Sequence, residues 1–120
     1  MPKTILLVEY REDIRTMMAV YLTMNHYDVI EASNGCEGLE KAVLHKPDLI
    51  LMDLAMPVLN GFDSTKEIRK NEDLADTPIL CLTAFGDMYD ERARAAGCNE
   101  VLQKPIDFGK LDEVLELHMR

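Results

Sequence analysis

Four polar residues in this chain each follow a short apolar run. Glu9 follows Ile5-Leu6-Leu7-Val8, Asp53 follows Leu49-Ile50-Leu51-Met52, Thr83 follows Ile79-Leu80-Cys81-Leu82, and Lys104 comes just beyond Val101-Leu102-Gln103. Two carboxylates, a hydroxyl and an ammonium presented in the same way suit phosphoryl chemistry. A carboxylate can attack phosphorus and become an acyl phosphate. Carboxylates also offer hard oxygens to magnesium, which keeps several waters and takes one or two protein acids. Transfer asks the protein chiefly for positioning and for donors and cations around the moving oxygens, and a threonine and a lysine supply these. The same set would be a poor structural device, because neighbouring carboxylates repel and each needs compensation.

The elements that must hold these groups follow from the pattern between them. The first three runs, with Val29-Ile30 and Val101-Leu102, are short enough for strands and continuously apolar, as strands covered on both faces tend to be. Helical spacing appears between them: Ile14, Met17, Met18, Tyr21 and Leu22, then Leu39, Ala42 and Val43, and finally Leu111, Val114 and Leu115. These stripes are expected to be core. Asn34-Gly35 and Asn60-Gly61 mark turns, Pro47 and Pro78 precede strands, Gly97 stops a helix, and Asp107 caps the last one. Strict alternation of strand and helix predicts a doubly wound α/β fold with a five-stranded parallel sheet and helices on both faces. Such sheets bind ligands outside the carboxyl ends of their strands, where all four polar residues fall.

The bulk properties narrow the function classes. A chain of 120 residues suits one domain, spanning 1–120, and its net charge of −9 with scattered Lys and Arg argues against direct nucleic-acid binding. No apolar run nears the roughly 20 residues of a membrane helix and the start lacks a signal-peptide layout, so no membrane association and a cytoplasmic location are expected. Cys36, Cys81 and Cys98 have neither disulfide-framework nor zinc spacing. His26, His45 and His118 read as surface or helix-end residues, and Gly35-Cys36-Glu37-Gly38 reads as a helix start, since it lacks a P-loop's ending.

Taken together, Ile5-Leu6-Leu7-Val8-Glu9, Asp53-Leu54-Ala55-Met56-Pro57 with Asn60-Gly61, Thr83-Ala84 and Lys104-Pro105 resemble a two-component response-regulator receiver domain of the chemotaxis type over essentially the whole chain. The resemblance implies strand order 2-1-3-4-5, a cis Lys104-Pro105 bond, and phosphorylation of Asp53 by a histidine kinase or histidine phosphotransfer protein. It also implies a Mg2+ ion held by Glu9, Asp53 and the Ala55 backbone carbonyl, contacts from Thr83 and Lys104 to the phosphoryl group, and a downstream protein effector. The domain would be a signalling switch that catalyses only its own phosphorylation and slow dephosphorylation.

Two positions depart from the family pattern. Many receivers carry two successive acids after the first strand, whereas Tyr10 here follows Glu9, replacing a hard anionic ligand with a neutral phenol. Weaker metal binding is the expectation, unless Tyr10 packs beside the pocket and the remaining ligands suffice. Val101 stands where many receivers place an aromatic switch residue, so a ring rotation at that position is not available. Both departures favour an alternative, a phosphorylation-independent protein-interaction module. An aspartate-nucleophile phosphatase is disfavoured, because Asp53-Leu54-Ala55 supplies no second acid two residues on.

Overall fold

The computed structural model describes residues 2–119. Five strands, β1 (Thr4–Val8), β2 (Asp28–Ala32), β3 (Leu49–Asp53), β4 (Ile79–Thr83) and β5 (Glu100–Gln103), alternate with five helices, α1 (Glu12–Met24), α2 (Gly35–His45), α3 (Gly61–Arg69), α4 (Asp90–Ala96) and α5 (Phe108–His118). A short 3-10 turn, Glu72–Leu74, precedes β4. All strand pairs are parallel and the order is β2-β1-β3-β4-β5, as expected. The doubly wound class, the strand order and the cis Lys104-Pro105 bond all stand.

The apolar strands divide their side chains between two cores because successive residues point to opposite faces. Ile5, Leu7, Leu49, Leu51, Leu80 and Leu82 meet Met18 and Leu22 of α1 and Leu111, Val114 and Leu115 of α5. On the other face Leu6, Val8, Ile50, Met52, Ile79 and Cys81 meet Ala42 of α2, Phe62 and Ile68 of α3, and Ala93 and Ala96 of α4. Coverage on both sides is why the runs in β1, β3 and β4 show no polar alternation.

Two expected core residues face solvent instead. Met17 and Val43 are exposed, while Met18, Leu22 and Ala42 are buried. The buried line of α1 runs through Ile14, Met18 and Leu22 at four-residue intervals, and Met17 lies about 100° round the helix from Met18. The caps follow the sequence closely: the side chains of Asn34, Asn60 and Asp107 accept the Glu37, Asp63 and Lys110 amides, and Gly97 takes φ +118° at the end of α4.

One tie is not visible in any local pattern. Arg69, the last residue of α3, donates from Nε to Gly97 O at 2.9 Å and from Nη1 to Leu74 O at 2.8 Å and Thr77 O at 2.7 Å. Its Nη2 meets Asn99 Oδ1 at 2.9 Å, the same oxygen that accepts the Ile79 amide at the head of β4. One guanidinium thus fastens the entrances of β4 and β5. Arg69→Met keeps the stem but strands several half-buried carbonyls, and should cost about 2–4 kcal/mol of stability by urea denaturation. A loss below about 0.5 kcal/mol would show that water replaces these bonds without penalty.

Candidate functional site

Register brings the polar strand ends together. Val8 pairs with Met52, which sets Glu9 level with Asp53; Asp53 pairs with Leu82, one residue before Thr83; and Thr83 pairs with Gln103, one residue before Lys104. Backbone bonds extend the sheet past these ends, with Glu9 N to Ala32 O at 3.0 Å, Leu54 N to Leu82 O at 3.0 Å and Lys104 N to Thr83 O at 2.7 Å.

The side chains meet where the register points. Glu9 is 0% exposed, Asp53 3% and Thr83 2%. Lys104 Nζ lies 2.7 Å from Glu9 Oε1 and 3.3 Å from Asp53 Oδ1, so one ammonium bridges both carboxylates. Glu9 Oε2 accepts the Arg11 amide at 3.1 Å, and Asp53 Oδ1 accepts the Ala55 amide at 3.2 Å. Burial raises the Asp53 carboxyl from its ordinary 3.8 to about 7, reinforced by the adjacent Glu9 and opposed by Lys104 and the Ala55 N–H. The Thr83 hydroxyl accepts the Phe85 amide at 3.1 Å. Glu9, Asp53 and Lys104 therefore form one cluster, Ala55 borders it through its amide, and Thr83 sits at its edge turned toward its own loop.

The loop from β3 to α3 is shaped by close approach. A Cβ on Gly61 would fall 2.2 Å from Asp53 O, and one on Gly35 would fall 2.0 Å from Leu59 O, so neither position accepts a side chain without backbone movement. Ser64 Oγ ties the loop's far end to Gly35 O at 2.8 Å. Between them, Val58 takes φ +73° as the Leu59 amide closes onto Pro57 O at 2.9 Å, a tight three-residue turn unusual for a β-branched residue.

Tyr10, the residue after Glu9, is 55% exposed. Val101 is half-buried against the α2–α4 core, which Tyr89 also reaches. Other contributors escaped the sequence reading. Arg15 donates from Nη1 to Glu9 O at 2.9 Å and sits 3.4 Å from Glu31 Oε1, fixing the turn out of β1. A signal existed: a cation in a helix's first turn works against the helix dipole and so points to another role. An aromatic set also escaped the sequence reading: Phe85, two residues after Thr83, meets Tyr89, and Tyr89 meets Phe62, which lies too far away in sequence to show a pattern with them.

An acidic pocket with one bridging lysine and a threonine at its edge can hold a cation or accept an electrophilic phosphorus. The response regulator receiver domain family matches residues 5–116. The polar-differentiation response regulator DivK of Brucella anthropi is 33% identical over 120 residues, covering 99% of this chain and 98% of its own. Among solved structures, the chemotaxis protein CheY4 of Vibrio cholerae superposes with a TM-score of 0.91 at 31% identity, with 98% of each chain covered. The receiver domain of sensor histidine kinase PA1611 from Pseudomonas aeruginosa, solved with a magnesium ion coordinated in its active-site cleft, gives 0.93 at 32% identity, covering 99% of this chain and 98% of its own.

The weakened acidity of Asp53 gives stability a measurable dependence on pH. A folded-state value of about 7 against 3.8 means that the folded chain binds the extra proton more tightly. That stabilising contribution is complete below about pH 4 and is lost as pH rises through 7. Without divalent ions, Asp53→Asn should therefore be the more stable protein at pH 8, by at most about 4 kcal/mol, with the gap closing toward pH 4. Parallel stability curves for the two proteins between pH 4 and pH 8 would contradict this.

Proposed function

The chain belongs to the response regulator receiver family of two-component signalling, and on that premise we propose that Asp53 is its phosphoryl acceptor. Receiver domains are signalling modules that work between histidine kinases and downstream effectors. The observation that carries the assignment is Lys104 held between the Glu9 and Asp53 carboxylates with Thr83 at the next strand end. We read residues 1–120 as one receiver domain of the cytoplasm, served by a histidine kinase or a histidine phosphotransfer protein.

In this reading an ionised Asp53 oxygen attacks the phosphorus of a phosphohistidine. The P–N bond breaks, and the leaving imidazole nitrogen keeps the bonding pair. Lys104 neutralises charge on the transferred oxygens and Thr83 donates its hydroxyl to one of them. Attack requires the carboxylate, and the Asp53 value of about 7 leaves a fraction protonated near neutrality. Any cation entering beside it raises the reactive fraction.

The donor chemistry fits Mg2+: Asp53 and Glu9 offer buried carboxylates, the Ala55 carbonyl a third oxygen, and Asp53 holds its proton tightly because burial, then the adjacent Glu9, outweigh the nearby Lys104. When bound, the ion would supply charge neutralisation at the phosphoryl oxygens. Both Glu9 oxygens already have partners, Lys104 and the Arg11 amide, and exposed Tyr10 adds no carboxylate. That observation favours a second reading, a receiver that binds its partner without phosphorylation.

Intact mass after incubation with acetyl phosphate and magnesium separates the two readings. Wild type should gain one phosphoryl group and Asp53→Asn none; labelling of the variant would move the acceptor elsewhere, and an unlabelled wild type would favour the second reading. Tyr10→Asp restores an acid at the pocket and should tighten magnesium binding by about ten- to a hundredfold, corresponding to about 1–3 kcal/mol, and speed phosphorylation. Equal magnesium titrations for the two proteins would show that Glu9, Asp53 and the backbone already complete the site.

A further inference from the structure

Val101 leaves this receiver without a ring on β5, yet a chain of rings starts from Phe85, two residues beyond the end of β4. The Thr83 hydroxyl oxygen accepts the Phe85 amide at 3.1 Å, the one hydrogen bond it makes among the described residues. Phe85 is 53% exposed and stands edge-on to Tyr89, with centroids 5.6 Å apart and planes at 90°. Tyr89 in turn stands edge-on to buried Phe62 at 5.5 Å, and the Arg92 guanidinium lies 3.9 Å over the Phe62 ring.

Little else fixes this stretch. The turn carrying Phe85 relies on long backbone bonds, Met88 N to Phe85 O at 3.3 Å and Asp90 N to Asp87 O at 3.2 Å, around Gly86 at φ +62°. Helix α4, which starts at its end, has no side-chain cap, unlike α2, α3 and α5. Asp90 Oδ1, in the first residue of α4, is buried with no hydrogen-bond partner. An uncapped helix start with an unpaired buried oxygen belongs to the low-stability end of a fold, where movement is cheapest.

We propose that Phe85 and Tyr89 are positioning residues for Thr83 and that they carry its state to the start of α4. The proposal rests on the reading of Asp53 as phosphoryl acceptor. A threonine hydroxyl occupies discrete χ1 wells, so turning it toward a phosphoryl oxygen withdraws it from the Phe85 amide in one step. An amide left without an acceptor seeks another, which reorients the Phe85 peptide and its ring. Tyr89, wedged between Phe85 and Phe62, then moves with the first turn of α4. The ring that reports the site thus comes from the loop after β4, and Val101 has no part in it beyond packing against the core Tyr89 also reaches.

Nuclear magnetic resonance on the full chain tests this in two arms. The first uses acetyl phosphate with magnesium, and the mass of the same sample gives the phosphorylated fraction. In wild type the Phe85 amide should lose exchange protection and the Tyr89 ring signals should shift in proportion to that fraction. Tyr89→Leu should gain the same mass yet lose the shifts across α4, and its unphosphorylated form should already show a poorly protected Phe85 amide with the central strands unaffected. Tyr89→Phe should behave as wild type. The second arm needs no phosphoryl group: Thr83→Val deletes the acceptor, and should expose the Phe85 amide and shift the Tyr89 ring. Unmoved Phe85 and Tyr89 signals in a phosphorylated sample, α4 shifts in Tyr89→Leu equal to wild type, or a Thr83→Val protein with an unshifted Tyr89 ring would each overturn the proposal. A wild type that gains no mass counts against the acceptor reading, while the Thr83→Val arm still decides the coupling.

Discussion

An ammonium placed between two carboxylates at the mouth of a parallel sheet sets the conditions for the surrounding structure. Glu9 and Asp53 are essentially excluded from solvent, and Lys104 reaches both from the far side of β4. Burying two like charges side by side is unfavourable, and a single cation offsets only part of the cost. The remainder appears as an Asp53 carboxyl that gives up its proton reluctantly. The neighbouring segments hold the strand ends in this unfavourable proximity. Arg15 fixes the turn after β1, Gly61 lets α3 begin against the Asp53 peptide, and Arg69 anchors the two strands that deliver Thr83 and Lys104.

Much of this was legible because it depends on residue type and order. The apolar runs locate the strands, the residues just after them meet in the polar cluster, and the Asn and Asp caps announce helix starts. Strand order was implied by family resemblance, since alternation alone does not say which strand neighbours which. What escaped depends on how helices cross the sheet. Phe62 and Tyr89 are on different crossovers, and Arg69 meets Asn99 only because α3 ends beside the loop into β5. Periodicity also placed Met17 and Val43 too generously in the core, because an apolar stripe on a surface helix can be wider than the face it buries.

The two departures from the family pattern stand in different relations to the fold. Tyr10 is exposed, and the acidic cluster comprises two carboxylates and one lysine. Val101 is half-buried and packs against the α2–α4 core. One departure is exposed beside the end of β1 and the other packs within β5, so they occupy separate places in the fold.

Val58 invites a different view of the loop that follows Asp53. An exposed valine at φ +73° combines a backbone conformation costing about 1–2 kcal/mol with an apolar side chain that buries little within the chain. Asparagine or glycine would fit the turn with less strain. Laboratory evolution for heat tolerance alone should therefore discard this valine early, whereas selection that keeps the signalling partner in the assay should retain it if the side chain is read by that partner. The fate of one codon under the two regimes would show whether the strain is inherited accident or is maintained by contact with another molecule.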